Sequence, residues 1–123
     1  MSNLEKGRRG EERTKRYLVD REYRILERNF RFHHREVDII ALKGDTLVFV
    51  EVKARGPHGF ARGFESITER QKKNIISVAR YYVEKKGFQD YNVRFDVASI
   101  DGRDFDYIEG AFGACGACGA CRA

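Results

Sequence analysis

Residues 36–54 read Glu-Val-Asp-Ile-Ile-Ala-Leu-Lys-Gly-Asp-Thr-Leu-Val-Phe-Val-Glu-Val-Lys-Ala, and the way this stretch pairs with itself decides the fold. Two apolar segments, Glu36 to Leu42 and Thr46 to Ala54, flank Lys43, Gly44 and Asp45, the pattern of a β-hairpin. With Gly44 and Asp45 as a two-residue turn, positions summing to 89 face each other. Leu42 then meets Leu47, Ile40 meets Phe49, Asp38 meets Glu51, and Glu36 meets Lys53. The other face sets Ala41, Ile39 and Val37 against Val48, Val50 and Val52. A hairpin apolar on both faces predicts a sheet covered on both sides by helices.

Outward from the hairpin, Arg8 to Glu22 is polar except for a few residues, and Thr14, Tyr17 and Leu18 make one helical stripe. Glu11 falls on that stripe, seven residues before Leu18, so a carboxylate stands on an inward face and needs a reason. Tyr23 to Phe30 reads as a strand in which Ile25 and Leu26 break the alternation. Past the hairpin, Arg55 to Gly63 holds the only proline, three glycines and two arginines, which predicts a mobile basic loop.

A second helix is signalled by a capping box at Ser66/Glu69 or Thr68/Gln71 and by the stripe Ile75, Val78, Ala79, Tyr82 and Val83. Gly87 stops it, so it should run to about Lys86. Tyr91 to Ile100 is a further strand, with Val93, Phe95 and Val97 inward, and Phe105 to Phe112 can add a last one. The expected class is α/β, with the order αβββαβ and a central mixed sheet flanked by helices.

With 123 residues, 41% hydrophobic and 35% charged, the chain is sized for one domain and composed to fold. That domain is expected over residues 1–112. Its longest strongly apolar run, Leu47 to Val50, is too short to span a bilayer, and Met1 to Gly10 offers no apolar signal stretch. A cytoplasmic location without membrane attachment is therefore expected. The +5 charge is concentrated before Glu36, where eleven basic residues stand against six acidic ones. Such a segment is either a footprint for nucleic acid, through phosphate neutralisation, or a solvated helix face. All three cysteines lie in the repeat at 113–123, which has no fourth ligand for a zinc or cluster site and no sizeable apolar side chain. It reads as a low-complexity tail outside the fold.

The hairpin register puts Asp38 and Glu51 opposite each other, with Cβ atoms about 5 Å apart. Like charges there repel, and a divalent cation such as Mg²⁺ turns the repulsion into binding. Lys53 projects from the face of Glu51, where an ammonium can orient an attacking water or stabilise charge on a phosphoryl group. Ordinary ion pairs at strand ends are the competing reading. Against it, three charged residues converge on one face of strands that are otherwise apolar.

Asp38, then Glu51-Val52-Lys53, behind a helix carrying Glu11, resembles the PD-(D/E)xK nuclease superfamily, particularly the arrangement in archaeal Holliday-junction resolvases. More closely, the chain resembles the YraN family of small endonuclease-like proteins. The similarity lies in Gly7-Arg8-Arg9-Gly10-Glu11, Tyr23-Arg24-Ile25-Leu26 with Arg28-Asn29, and Glu36-Val37-Asp38-Ile39-Ile40-Ala41. It continues through residues 47–55, Arg94-Phe95-Asp96-Val97 and Ala111-Phe112, and so covers about residues 4–112. Arg35 stands where the family pattern has glycine. Gln71, with Lys72 and Lys73 after it, stands where a lysine is common.

The resemblance implies a restriction-endonuclease-like core and Mg²⁺- or Mn²⁺-dependent hydrolysis of phosphodiester bonds, with branched or damaged DNA as substrate. The alternative is a non-catalytic nucleic-acid-binding protein that keeps the nuclease fold. Glu11, Asp38 and Glu51 would be metal ligands, direct or through water, and Lys53 the catalytic lysine. Arg8, Arg9, Arg55, Arg62, Lys72 and Lys73 are the candidate nucleic-acid contacts, and a homodimer is compatible with this reading. Gln71 either reaches the site or caps its helix. His33 and His34 either touch phosphate or decorate a loop, and Asp96 is expected to pair with an arginine.

Overall fold

In the computed structural model, described over residues 3–55 and 67–113, the chain runs α1 (Asn3–Asp20), β1 (Arg24–Phe32), β2 (Arg35–Lys43), β3 (Thr46–Arg55), α2 (Glu69–Lys86), β4 (Asn92–Asp101) and β5 (Asp104–Phe112). The five strands form one sheet in the order β1-β2-β3-β4-β5. Only β3 and β4 are parallel, and α2 is the crossover between them. This α/β fold, with a mixed sheet and two helices, agrees with a restriction-endonuclease-like core. The helix α1 starts at Asn3, earlier than the expected Arg8. The basic loop lies mostly, and the cysteine repeat almost wholly, outside the described residues.

The sheet separates two apolar layers. On one face Leu18 of α1, with Tyr17 beside it, packs on Ile39, Ala41, Val48 and Val50. On the other, Ile75, Val78, Ala79 and Tyr82 of α2 cover Ile40, Leu47, Phe49 and Phe95. Of the stripes expected from helical spacing, Thr14 and Leu18 on α1 and Ile75, Val78, Ala79 and Tyr82 on α2 are buried, with Tyr17 and Val83 half-buried at their edges. The capping box of α2 forms at Thr68: its hydroxyl accepts the Gln71 N–H at 3.1 Å, and Gln71 Oε1 accepts the Thr68 N–H at 2.9 Å. Gly87 closes the helix at φ 76°.

The β2–β3 ladder follows the expected register from Lys43/Thr46 to Ile39/Val50, with Gly44 at φ 60° in the turn. It stops there. The expected pairs Asp38/Glu51, Val37/Val52 and Glu36/Lys53 do not form as ladder pairs. Val37 packs in the α2 layer with Ile40, whereas Ile39 packs in the α1 layer. Alternate residues of a regular strand share a face, so β2 rotates at Asp38. On β1 the same rotation falls at Asn29, whose φ of 53° lies in the left-handed region. There Arg28 reaches Glu12 of α1 at 2.7 Å, while Phe30 packs in the α2 layer. Leu26 is the extra residue of a bulge, which explains the broken alternation at Ile25 and Leu26.

Asp96 is fully buried and pairs with an arginine as expected. Arg94 grips it through Nε and an Nη, both at 2.9 Å, while the Tyr107 hydroxyl donates at 2.6 Å and the Gly110 N–H at 2.9 Å. Burial, and then the adjacent carboxylate, keep the Tyr107 phenol protonated far above its ordinary range. One carboxylate thus ties β4 to β5 across the irregular register after Phe95. Replacing Asp96 with alanine strands four donor groups on three residues, and should lower stability by about 3 kcal/mol in a denaturant melt. An unchanged midpoint would contradict this role.

Candidate metal and phosphate site

The site lies where β2 rotates away from β3. Asp38 Oδ2 accepts the Val52 backbone N–H at 2.8 Å, a bond in the plane of the sheet that takes the place of the missing ladder contact. Glu51 and Lys53 project on the α2 side, in line with Phe49, and Lys53 Nζ stands 3.8 Å from Glu51 Oε1. The Glu51 and Lys53 side chains are only 16% and 22% exposed.

Burial dominates the electrostatics, and neighbouring carboxylates add to it. Burial pushes Asp38 up to about 6 against the pull of the Val52 N–H, and the charges of Glu11 and Glu36 push the same way. Burial raises Glu51 to about 8, helped by the charge on Asp38 and resisted by Lys53. Both carboxyls therefore hold protons to a higher pH than free carboxylates, and the charge on Asp38 adds to the effect of burial at Glu51.

Ordinary ion pairing explains these residues poorly. The described arginines in ion pairs go elsewhere: Arg28 to Glu12, Arg31 to Glu36, and Arg94 to Asp96 and Glu109. What remains is a buried like-charge pair with one lysine at long range, an arrangement that destabilises a fold and suits a cation. Carboxylate oxygens are hard donors, so the pair fits Mg²⁺ or Mn²⁺ better than softer metals. Among the described residues no three His, Cys, Asp or Glu side chains are grouped as ligands of one ion. Two carboxylates are enough for Mg²⁺ when water and phosphate oxygens complete its shell.

Glu11 is half-buried on α1, and its charge raises both carboxylates, so it stands within electrostatic reach of the pair. Glu36 acts in the same direction, a role not foreseen from the sequence, which set it opposite Lys53; it pairs instead with Arg31 at 3.4 Å. Its place two residues before Asp38 was the available signal. Gln71 is spent on the helix cap. Lys72 is held by Glu69 at 3.0 Å, Lys73 and Arg9 are exposed, and His33 and His34 form an exposed turn. Arg62 and the side chains of Arg8 and Arg55 lie outside the described residues.

Comparison with known proteins assigns the chain. The profile of the uncharacterised protein family UPF0102 matches residues 10–100. The chain is 38% identical over 109 residues to the UPF0102 protein FN1370 of Fusobacterium nucleatum, covering 89% of this chain and 92% of the relative. A UPF0102 protein of Persephonella marina is 41% identical over 107 residues, covering 87% and 92%. The protein CD630_12710 of Clostridioides difficile is 41% identical over 100 residues, covering 81% and 88%. The chain belongs to the UPF0102 (YraN) family.

The raised carboxylates make stability depend on pH. In the unfolded chain they ionise near 3.8 and 4.5, and in the folded chain near 6 and 8. The folded state holds protons that the unfolded state has shed, so their contribution is intact below about pH 4 and lost as pH rises through both folded values. Without metal, Asp38→Asn and Glu51→Gln should melt at or above wild type at pH 8–9, by on the order of 1–3 kcal/mol. A large loss of stability in both variants would assign the pair to structure.

Proposed function

We propose that the protein is a divalent-metal-dependent nuclease that hydrolyses phosphodiester bonds, with DNA, in branched or damaged form, as its substrate. The observation that carries this reading is the placing of the largely buried Asp38 and Glu51 carboxylates at one end of the β2–β3 ladder, with Lys53 3.8 Å from Glu51. The two carboxylates would hold Mg²⁺ or Mn²⁺, with Glu11 reaching the ion directly or through water. The metal would polarise the phosphoryl group and lower the pKa of a bound water. Lys53 would position that water or neutralise charge on the phosphate. The basic surplus before Glu36 would supply non-specific attraction to nucleic acid, and a cytoplasmic setting goes with such a substrate.

Purified protein incubated with duplex, flap and four-way-junction DNA, and with RNA, tests this in Mg²⁺, Mn²⁺ or chelator. Cleavage should require metal and should fall by at least about 100-fold in Asp38→Asn and Glu51→Gln. Nucleic-acid binding without cutting under any metal would instead identify a non-catalytic binding protein.

Lys53→Arg separates charge from geometry. Arginine keeps the charge and binds phosphate well, but it is bulkier and effectively never deprotonated. Turnover in Mg²⁺ should fail while binding in Ca²⁺ persists. A near wild-type rate would leave Lys53 as a phosphate clamp only.

A further inference from the structure

Arg35 opens β2 opposite Phe32, three residues before Asp38. Its Nε is buried and has no hydrogen-bond partner, the only buried side-chain nitrogen or oxygen among the described residues in that condition. Native proteins satisfy nearly all buried donors, and this half-buried guanidinium is instead left with hydrogen-bonding capacity that the described residues do not use. The adjacent carboxylate does not serve, because Glu36 is turned to Arg31 at 3.4 Å.

The placement of Arg35 relates it to the site. Its cross-strand partner Phe32 stacks on Tyr81 of α2 with ring centroids 4.1 Å apart, so Arg35 projects from the α2 face of the sheet. Phe49 meets Tyr82 of the same helix edge-on at 6.0 Å, and Glu51 and Lys53 follow Phe49 at two-residue steps on that face. β2 and β3 are neighbours, and Arg35 and Lys53 both lie beyond the end of their ladder at Ile39/Val50. Two cations thus stand at the same end and on the same face of the sheet as Glu51. Around Arg35 the hairpin tip adds Arg31, 72% exposed, and the exposed His33 and His34. A guanidinium presents its N–H groups as a planar fork that matches phosphate oxygens.

We propose that the half-buried Arg35 guanidinium binds a phosphodiester oxygen of the nucleic-acid strand held at the Asp38–Glu51–Lys53 site. The proposal rests on the nuclease reading and assigns strand-gripping to the β1–β2 tip. Arg35 is a substrate-positioning residue in this scheme and takes no part in proton transfer or metal binding.

The test uses the full chain, a labelled duplex and a labelled four-way junction, binding measured in Ca²⁺ over a salt series, and melts without nucleic acid. Arg35→Met should melt at or above wild type, since an unsatisfied buried donor is removed. It should bind about tenfold more weakly, with a salt slope smaller by about one. Arg35→Lys should recover the slope but not the full affinity, because the charge returns without the fork. Wild-type affinity in Arg35→Met, or a melt far below wild type, would overturn the proposal, the second outcome making Arg35 a packing residue. A protein that binds DNA, loses affinity in Arg35→Met, yet never cuts would refute the nuclease reading and leave the phosphate contact standing. Cutting by wild type with equal binding by Arg35→Met would refute the contact alone, and failure of wild type to bind would overturn both.

Discussion

The rotation of β2 at Asp38 is the constraint on which the site depends. Up to Ile39/Val50 the hairpin is a regular ladder. Beyond it, the carboxylate of Asp38 satisfies the Val52 N–H in the sheet plane at 2.8 Å. A regular continuation would set Val37 beside Val52 on the α1 face. The rotation sends Val37 to the α2 layer and leaves Asp38 where burial raises it and where its charge raises Glu51. Asn29 makes this possible on β1, because asparagine tolerates the left-handed φ of 53° better than a branched residue.

A destabilising feature of this kind needs a firm frame. The frame comes from the parallel β3–β4 pairing, which runs from Thr46/Asn92 to Arg55/Asp101, and from two apolar layers that close both faces. Asp96 holds the far side, where β5 departs from regular register, with four donors' worth of hydrogen bonds on one buried carboxylate. The two buried acidic sites behave oppositely for a physical reason. Asp96 has a guanidinium at 2.9 Å, whereas Asp38 has one backbone N–H and the charges of Glu11 and Glu36. Satisfied, a buried carboxylate stiffens a fold; unsatisfied, it is available to a ligand.

Much of this was legible in the amino-acid sequence, because period and punctuation carry the element order. The Ile75, Val78, Ala79 and Tyr82 stripe, the Thr68/Gln71 box, Gly87 and the Gly44-Asp45 turn all act locally, and each took the expected form. Asp38, Glu51 and Lys53 were legible as misfits in apolar strands. The end of the ladder was not legible, since a face swap at Asp38 leaves no trace in alternation: Val37 is apolar on either side. The partners of Glu36 and Arg35 were hidden for the same reason, as both depend on β1 across the rotated segment. Gln71 carried two meanings in one dimension, and only packing assigned it to the cap.

The claim at the centre is that Asp38 and Glu51 hold protons which a divalent cation displaces. Calorimetric titration of Mn²⁺ or Mg²⁺ into the protein, repeated in buffers of different ionisation enthalpy near pH 7, reads that displacement directly. Binding should release protons, strengthen as pH rises from about 6 to 8, and vanish in Asp38→Asn and Glu51→Gln. Binding that is absent, or that neither releases protons nor responds to the two substitutions, would contradict it.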